Sequence, residues 1–190
     1  MTDTLASDTE IMQLVEGLQS DDEGDLATID ALLERYPGDP RLHFMRGSVL
    51  AGKGQPIEAH SAMARAVEIA PDYALARYQL GFFELTSGEA DKALSTWGPL
   101  LRLPQDNYLR LFAEGMTFLI RDEFDAALAK YEQGIAQNNE NEPMNNDIRL
   151  LMRQTRDLAE QNAGTVGPHD DDMSATSLML GQFAGNRTLN

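Results

Sequence analysis

The chain has 190 residues, 42% of them hydrophobic, enough for one elongated helical domain with a packed core but with no apolar run long enough to span a bilayer. A net charge of −16 and a pI near 4.4 argue against nucleic acid or an anionic membrane surface as partner. The absence of cysteine excludes disulfides, thiol catalysis and thiolate metal sites, and with no basic flank or apolar stretch after Met1 a cytoplasmic location is expected.

Residues 1–39 read as a divergent helical hairpin. Ser7-x-x-Glu10 is a capping-box pattern ahead of Ile11, Leu14, Val15 and Leu18, which share one helical face. A turn through Ser20, Asp21 and Asp22 leads to a second helix with Leu26, Ile29, Leu32, Leu33 and Tyr36, which Pro37-Gly38-Asp39-Pro40 stops. Residues 1–34 hold ten acids and neither Lys nor Arg. Two readings stay open for that charge: a solvated face, or a surface that steers a basic partner.

Residues 40–141 are periodic. Glycines fall at 47, 81 and 115, alanines at 59, 93 and 127, and large side chains at Met63, Trp97 and Tyr131, each column at intervals of 34 residues. Such a period describes one helical hairpin repeated, each copy too small to bury its apolar face alone. The glycine and the alanine let the two helices of a hairpin approach, and the large residue fills the gap between them. Internal turns are placed at Gly52–Pro56, Ser87–Glu89 and Arg121–Glu123. Pro71 ends the second helix of the first repeat; Pro104 comes one residue early in the next, and Asn139 stands where the third would have proline.

This spacing resembles the tetratricopeptide repeat (TPR) family. His43, Arg77 and Leu111 stand where the family usually has a bulky aromatic, and Leu100 and Gly134 where it has the alanine represented by Ala66. The resemblance implies an all-α fold, a right-handed solenoid whose first helices line a concave groove, and a scaffold that binds other proteins.

Leu75, Tyr78, Phe82 and Leu85 lie at intervals of 3, 4 and 3, and Leu109, Phe112, Met116 and Leu119 repeat the pattern 34 residues later. Each set shares one helical face. Phe44 is the equivalent position in the first repeat, where Arg41 and Ser48 make the stripe more polar. A second stripe, through Leu80 and Gly81 or through Leu111, Gly115 and Phe118, is available for the hairpin partner. The nine residues are therefore expected to line a peptide-binding groove, the alternative being that they pack between hairpins. TPR proteins that clamp a chaperone's C-terminal carboxylate use Lys, Arg and Asn on this face, so no such clamp is expected here.

Residues 142–162 read as a capping helix, apolar through Met144, Ile148, Leu151, Met152, Thr155 and Leu158 and basic through Arg149, Arg153 and Arg156. Residues 163–190 read as a flexible acidic linker, His169–Asp172 included, followed by an apolar island. In that island Leu178, Met179, Leu180 and Phe183 are expected to plug the groove of the same chain or of a neighbour. His43, His60 and His169 show no ligand spacing, and no phosphate-cradling glycine loop or nucleophile elbow occurs. No catalysis, metal or cofactor is expected.

The sequence thus predicts a non-catalytic scaffold that binds a protein or peptide with an apolar face, as an extended segment or an amphipathic helix, without membrane insertion. Two alternatives remain. One is a dedicated chaperone for a hydrophobic client of a bacterial secretion system; the other is a homo-oligomer assembled by tail exchange.

Overall fold

The computed structural model describes residues 5–18 and 24–164, with side chains as far as Glu160. All regular structure in them is helical, as the sequence predicts: α1 (Asp8–Leu18), α2 (Asp25–Arg35), α3 (Pro40–Gly52), α4 (Pro56–Ile69), α5 (Ala74–Thr86), α6 (Ala90–Trp97), a 3-10 helix (Gly98–Arg102), α7 (Tyr108–Ile120), α8 (Phe124–Gln137) and α9 (Glu142–Gly164). No helix among the described residues is long and apolar enough to cross a membrane. Two units divide them, one ending at Leu80 and one beginning at Gly81, so the boundary falls inside α5.

In the first unit the capping box forms. Ser7 Oγ accepts from the Glu10 amide (3.3 Å), and Glu10 Oε2 accepts from the Ser7 amide (2.9 Å), which satisfies two donors that the first turn of α1 leaves open. Leu14, Ile29 and Leu42, with Ala6, form the buried centre on which α1, α2 and α3 meet. α3 begins on Pro40, whose missing amide hydrogen costs nothing at a first helical position, with Asp39 as its N-cap.

The 34-residue period of the sequence reappears as recurring geometry. A Cβ on Gly47 would stand 2.6 Å from Met63 Cγ, and one on Gly81 or Gly115 would run into the ring of Trp97 or Tyr131. Each large side chain therefore occupies the space that its glycine vacates, 16 residues earlier in the chain. The turns between paired helices recur as well. The amides of Gln55, Glu89 and Glu123 donate to the carbonyls of Leu50, Glu84 and Phe118 at 2.9–3.0 Å. The residue before each of those donors has a positive φ: Gly54 at 68°, Gly88 at 83° and Asp122 at 57°. This left-handed cap closes the helix on its own last carbonyls. Glycine adopts it freely, and aspartate is among the few other residues that tolerate it.

Two departures from the TPR pattern have a structural use. His43 Nε2–H and Arg77 Nη2–H each donate, at 2.8 Å, to a carbonyl six residues earlier, those of Pro37 and Pro71. They tie the linker that precedes α3 and α5 to the helix after it.

In the second unit α6 ends early. Pro99 supplies no amide hydrogen and Gly98 is a poor helix former, so the chain tightens from α-helix to the 3-10 turn after Trp97. The sequence pattern alone did not place that break. α9 packs its predicted apolar side, Met144, Ile148, Leu151 and Met152, into the unit. Thr155 is also buried, its hydroxyl donating to Leu151 O at 2.9 Å. Arg153 and Arg156 stay on the exposed side.

Candidate interaction surfaces

The stripe assigned to the groove on α7 is interior. Leu109, Phe112, Met116 and Leu119 are all buried. Gly134 of α8 receives the Phe112 ring, and Tyr131 Oη donates to Met116 Sδ at 3.3 Å. Phe112 and Met116 thus face α8, their own hairpin partner, on the same side as Gly115. The reason is composition: α7 is apolar on nearly every face, and such a helix is buried rather than grooved. On α5, Tyr78 and Leu85 are buried as well, whereas Leu75 and Phe82 are half-buried. The tail residues Leu178, Met179, Leu180 and Phe183 lie outside the described residues.

Phe44 is the groove position left accessible in the first unit. It is half-buried, and its ring meets that of Tyr73 edge to face at a centroid separation of 5.5 Å. Ser48, one turn further, is exposed and returns its hydroxyl to Phe44 O at 3.1 Å, so it offers no donor outward. Burial pushes the Tyr73 hydroxyl above its ordinary pKa, which keeps it neutral and able to donate.

Beside this pair lies a charged cluster. Asp39 is fully buried and accepts from the amides of Ala6 (3.0 Å) and Arg41 (2.9 Å). The Arg41 guanidinium contacts both Asp39 oxygens and also donates to Ala6 O (2.6 Å) and Asp8 Oδ1 (3.0 Å). Burial by itself would raise the Asp39 pKa, but the bonds from Arg41 and Ala6 outweigh it and hold the carboxyl below its ordinary value. The cluster pins the segment before α1 to the start of α3.

The second unit has its own ion group. Glu114 accepts from Arg110 (2.8 Å) and Lys130 (2.6 Å), and although burial opposes ionisation these partners lower its pKa. Glu84 is also buried, with Lys92 Nζ at 3.7 Å. Among the described residues no group of His, Asp or Glu converges as a metal site would require.

A surface that the sequence pattern does not announce lies between α1 and α2. It is an open cleft of about 650 Å³. Leu14 and Leu32 contribute its apolar lining, and Ala27, Thr28 and Ala31 leave room along α2. At one end Glu10 Oε1 and Arg35 Nη2 pair at 2.9 Å, with Tyr36 Oη donating to Glu10. Both Glu10 and Arg35 line the cleft, as does Gln13. The available signal was the run of small residues on the outer face of α2, where a helix packed on both sides would carry larger ones.

No protein-family model matches the chain, and no curated protein is significantly similar to it.

Proposed function

We propose that the chain is a TPR-like solenoid of helical hairpins and a non-catalytic scaffold that binds an apolar peptide segment or amphipathic helix of a partner protein. The observation that supports this reading is the recurrence of one hairpin unit, with the same glycine-to-large-residue contact and the same turn hydrogen bond in three copies. Repeated hairpins build extended surfaces rather than enclosed reaction centres, and peptide recognition is their common use. Phe44 and Tyr73 are the anchor within the first unit. An aromatic pair that is neither fully buried nor fully solvated gains most by covering its remaining surface.

The test is a fluorescence-anisotropy titration with a labelled, helix-forming Leu/Ala/Gln peptide. Saturable binding is expected. Covering one large side chain is worth about 1.5–3 kcal/mol, so Phe44→Asp should weaken the complex roughly ten- to hundredfold. The helical circular-dichroism signal should be unchanged, because Phe44 is not core. No saturable binding, or equal affinity for Phe44→Asp, refutes the reading.

A further inference from the structure

The cleft between α1 and α2 is independent of the Phe44 surface and has a chemistry of its own. We propose that it is a docking site for a basic amphipathic helix of a partner protein. Shape, backbone chemistry and charge each point to that occupant.

The cleft runs between two antiparallel helices, and its width comes from small side chains. Ala27, Thr28 and Ala31 are exposed, while the apolar lining contains the buried Leu14 and half-buried Leu32. Thr28 turns its hydroxyl back to Gly24 O at 3.1 Å, which leaves its methyl group outward. A Cβ on Gly17 or on Gly24 would meet nothing within 4 Å, so no packed neighbour crowds these positions at the far ends of α1 and α2 from Glu10 and Arg35. A channel of this kind accepts a third helix whose axis lies about 8–10 Å from the other two.

The walls decide against an extended peptide. Both are α-helices whose backbone donors and acceptors are largely used within the helix, so the cleft has no strand edge to offer. An extended segment would leave its own amides and carbonyls unpaired there, whereas a helix arrives with its backbone satisfied.

Charge decides the sign. The first 34 residues contain ten acids and no base. Three of the described carboxylates are already paired, Glu10 with Arg35, Asp8 with Arg41 and Asp30 with Arg46. Glu16 and Glu34 are exposed, and no ion pair among the described residues involves either. Glu16 lies three residues from Gln13, and Glu34 three from Ala31, so each neighbours a lining residue on its own helix face. Each wall therefore carries an uncompensated carboxylate. A second copy of the chain would bring net charge −16 of the same sign, whereas a helix with lysines flanking its apolar stripe pairs with both walls.

The experiment titrates the full chain with two synthetic 18-residue helices that share a Leu/Ala stripe. One carries lysines beside the stripe and the other glutamates. Isothermal calorimetry should show saturable binding of the lysine helix and at least roughly tenfold weaker binding of the glutamate helix. Ala27→Lys/Ala31→Lys fills the channel and reverses its charge, and Glu16→Lys/Glu34→Lys changes charge alone. Both double variants sit at solvent-facing positions and should keep the wild-type circular-dichroism signal while weakening the lysine helix at least roughly tenfold. Phe44→Asp should leave this binding intact, which separates failure here from failure of the peptide-scaffold reading. The proposal is overturned if the two helices bind equally, if Ala27→Lys/Ala31→Lys binds as wild type does, or if the cleft variants instead abolish a concentration-dependent dimer of the chain alone.

Discussion

Gly115→Ala is the smallest change that tests the hairpin contact. The added methyl carbon would lie 2.6 Å from Tyr131 Cδ1 and 3.1 Å from Cζ, well inside contact distance. Tyr131 is wholly buried and its hydroxyl is held by Met116 Sδ at 3.3 Å, so the ring has little room to turn away. Overpacking of this sort costs about 1–3 kcal/mol. Replacing a helical glycine returns up to about 1 kcal/mol, which leaves a net loss of about 1–2 kcal/mol. Gly17→Ala in α1 is the control, because its methyl carbon meets nothing within 4 Å and only the favourable part remains. Urea unfolding followed by Trp97, the sole tryptophan and a buried residue of the same unit as Gly115, should show a midpoint lowered by about 0.5–1 M at an m-value of about 2 kcal/mol per molar. Gly17→Ala, followed by circular dichroism, should unfold at or above the wild-type midpoint. Gly47→Ala should cost less than Gly115→Ala, because the unbranched Met63 side chain yields more easily than a ring. A midpoint for Gly115→Ala at or above wild type would show that the tyrosine does not fill the glycine's space and would refute the contact.

The other predictions concern burial and charge. Phe112→Asp should unfold the second unit rather than merely weaken binding: losing a buried phenyl ring costs about 3–5 kcal/mol, and the unpaired carboxylate adds to it, against a typical total stability of about 5–15 kcal/mol. Retention of the full helical signal would contradict its place against Gly134. Asp39→Asn should cost about 2–4 kcal/mol at neutral pH by breaking a buried ion pair. The folded carboxyl has a lowered pKa, so its contribution is complete above the ordinary value of about 3.9 and is lost as pH falls through the folded value. Urea midpoints of wild type and Asp39→Asn should therefore converge on acidification below about pH 4, and a gap that widens there would contradict the assignment.

The sequence made visible those parts of the fold in which one residue type has one physical use. A glycine opposite a tryptophan or tyrosine 16 residues on is such a case, and Gly81–Trp97 and Gly115–Tyr131 were readable from the spacing alone. The turn caps were half readable. Gly54 and Gly88 announce a positive φ, but Asp122 reaches the same conformation with a side chain that is commoner at ordinary positions. Helix faces were readable only where one side is polar. α9 has such a side and its buried residues were correctly placed, whereas α7 is apolar around its circumference and spacings of three and four could not say which stripe faces α8. Glu84 is the opposite failure: a charged residue read as solvent-facing is buried beside Lys92 Nζ, because charge in a sequence predicts exposure only when no partner comes within reach. The α1–α2 cleft was hidden because small exposed residues on a helix carry no signal until the neighbouring helix is placed.

The end of the third repeat shows why a departure from a motif is weak evidence of lost structure. A proline stops a helix by withholding a donor; Asn139 cannot, and α8 still ends at Gln137. Three other asparagines take over by supplying partners instead. Asn138 Oδ1 accepts from the amides of Glu140 (3.3 Å) and Asn141 (3.1 Å), and its Nδ2–H donates to Asn145 Oδ1 at 2.9 Å. Asn145 Nδ2–H in turn donates to Asn138 O at 2.9 Å, and Asn141 Oδ1 caps α9 by accepting from the Met144 amide at 3.0 Å. Asn138 and Asn145 are both buried, a burial that is costly unless such amides are bonded. Here the bonds also define the angle at which α9 leaves α8. Proline would have stopped α8 without directing the chain beyond it, whereas the amide network does both. The asparagine-rich stretch that looks like decay of the repeat is therefore where polar chemistry fixes the position of α9.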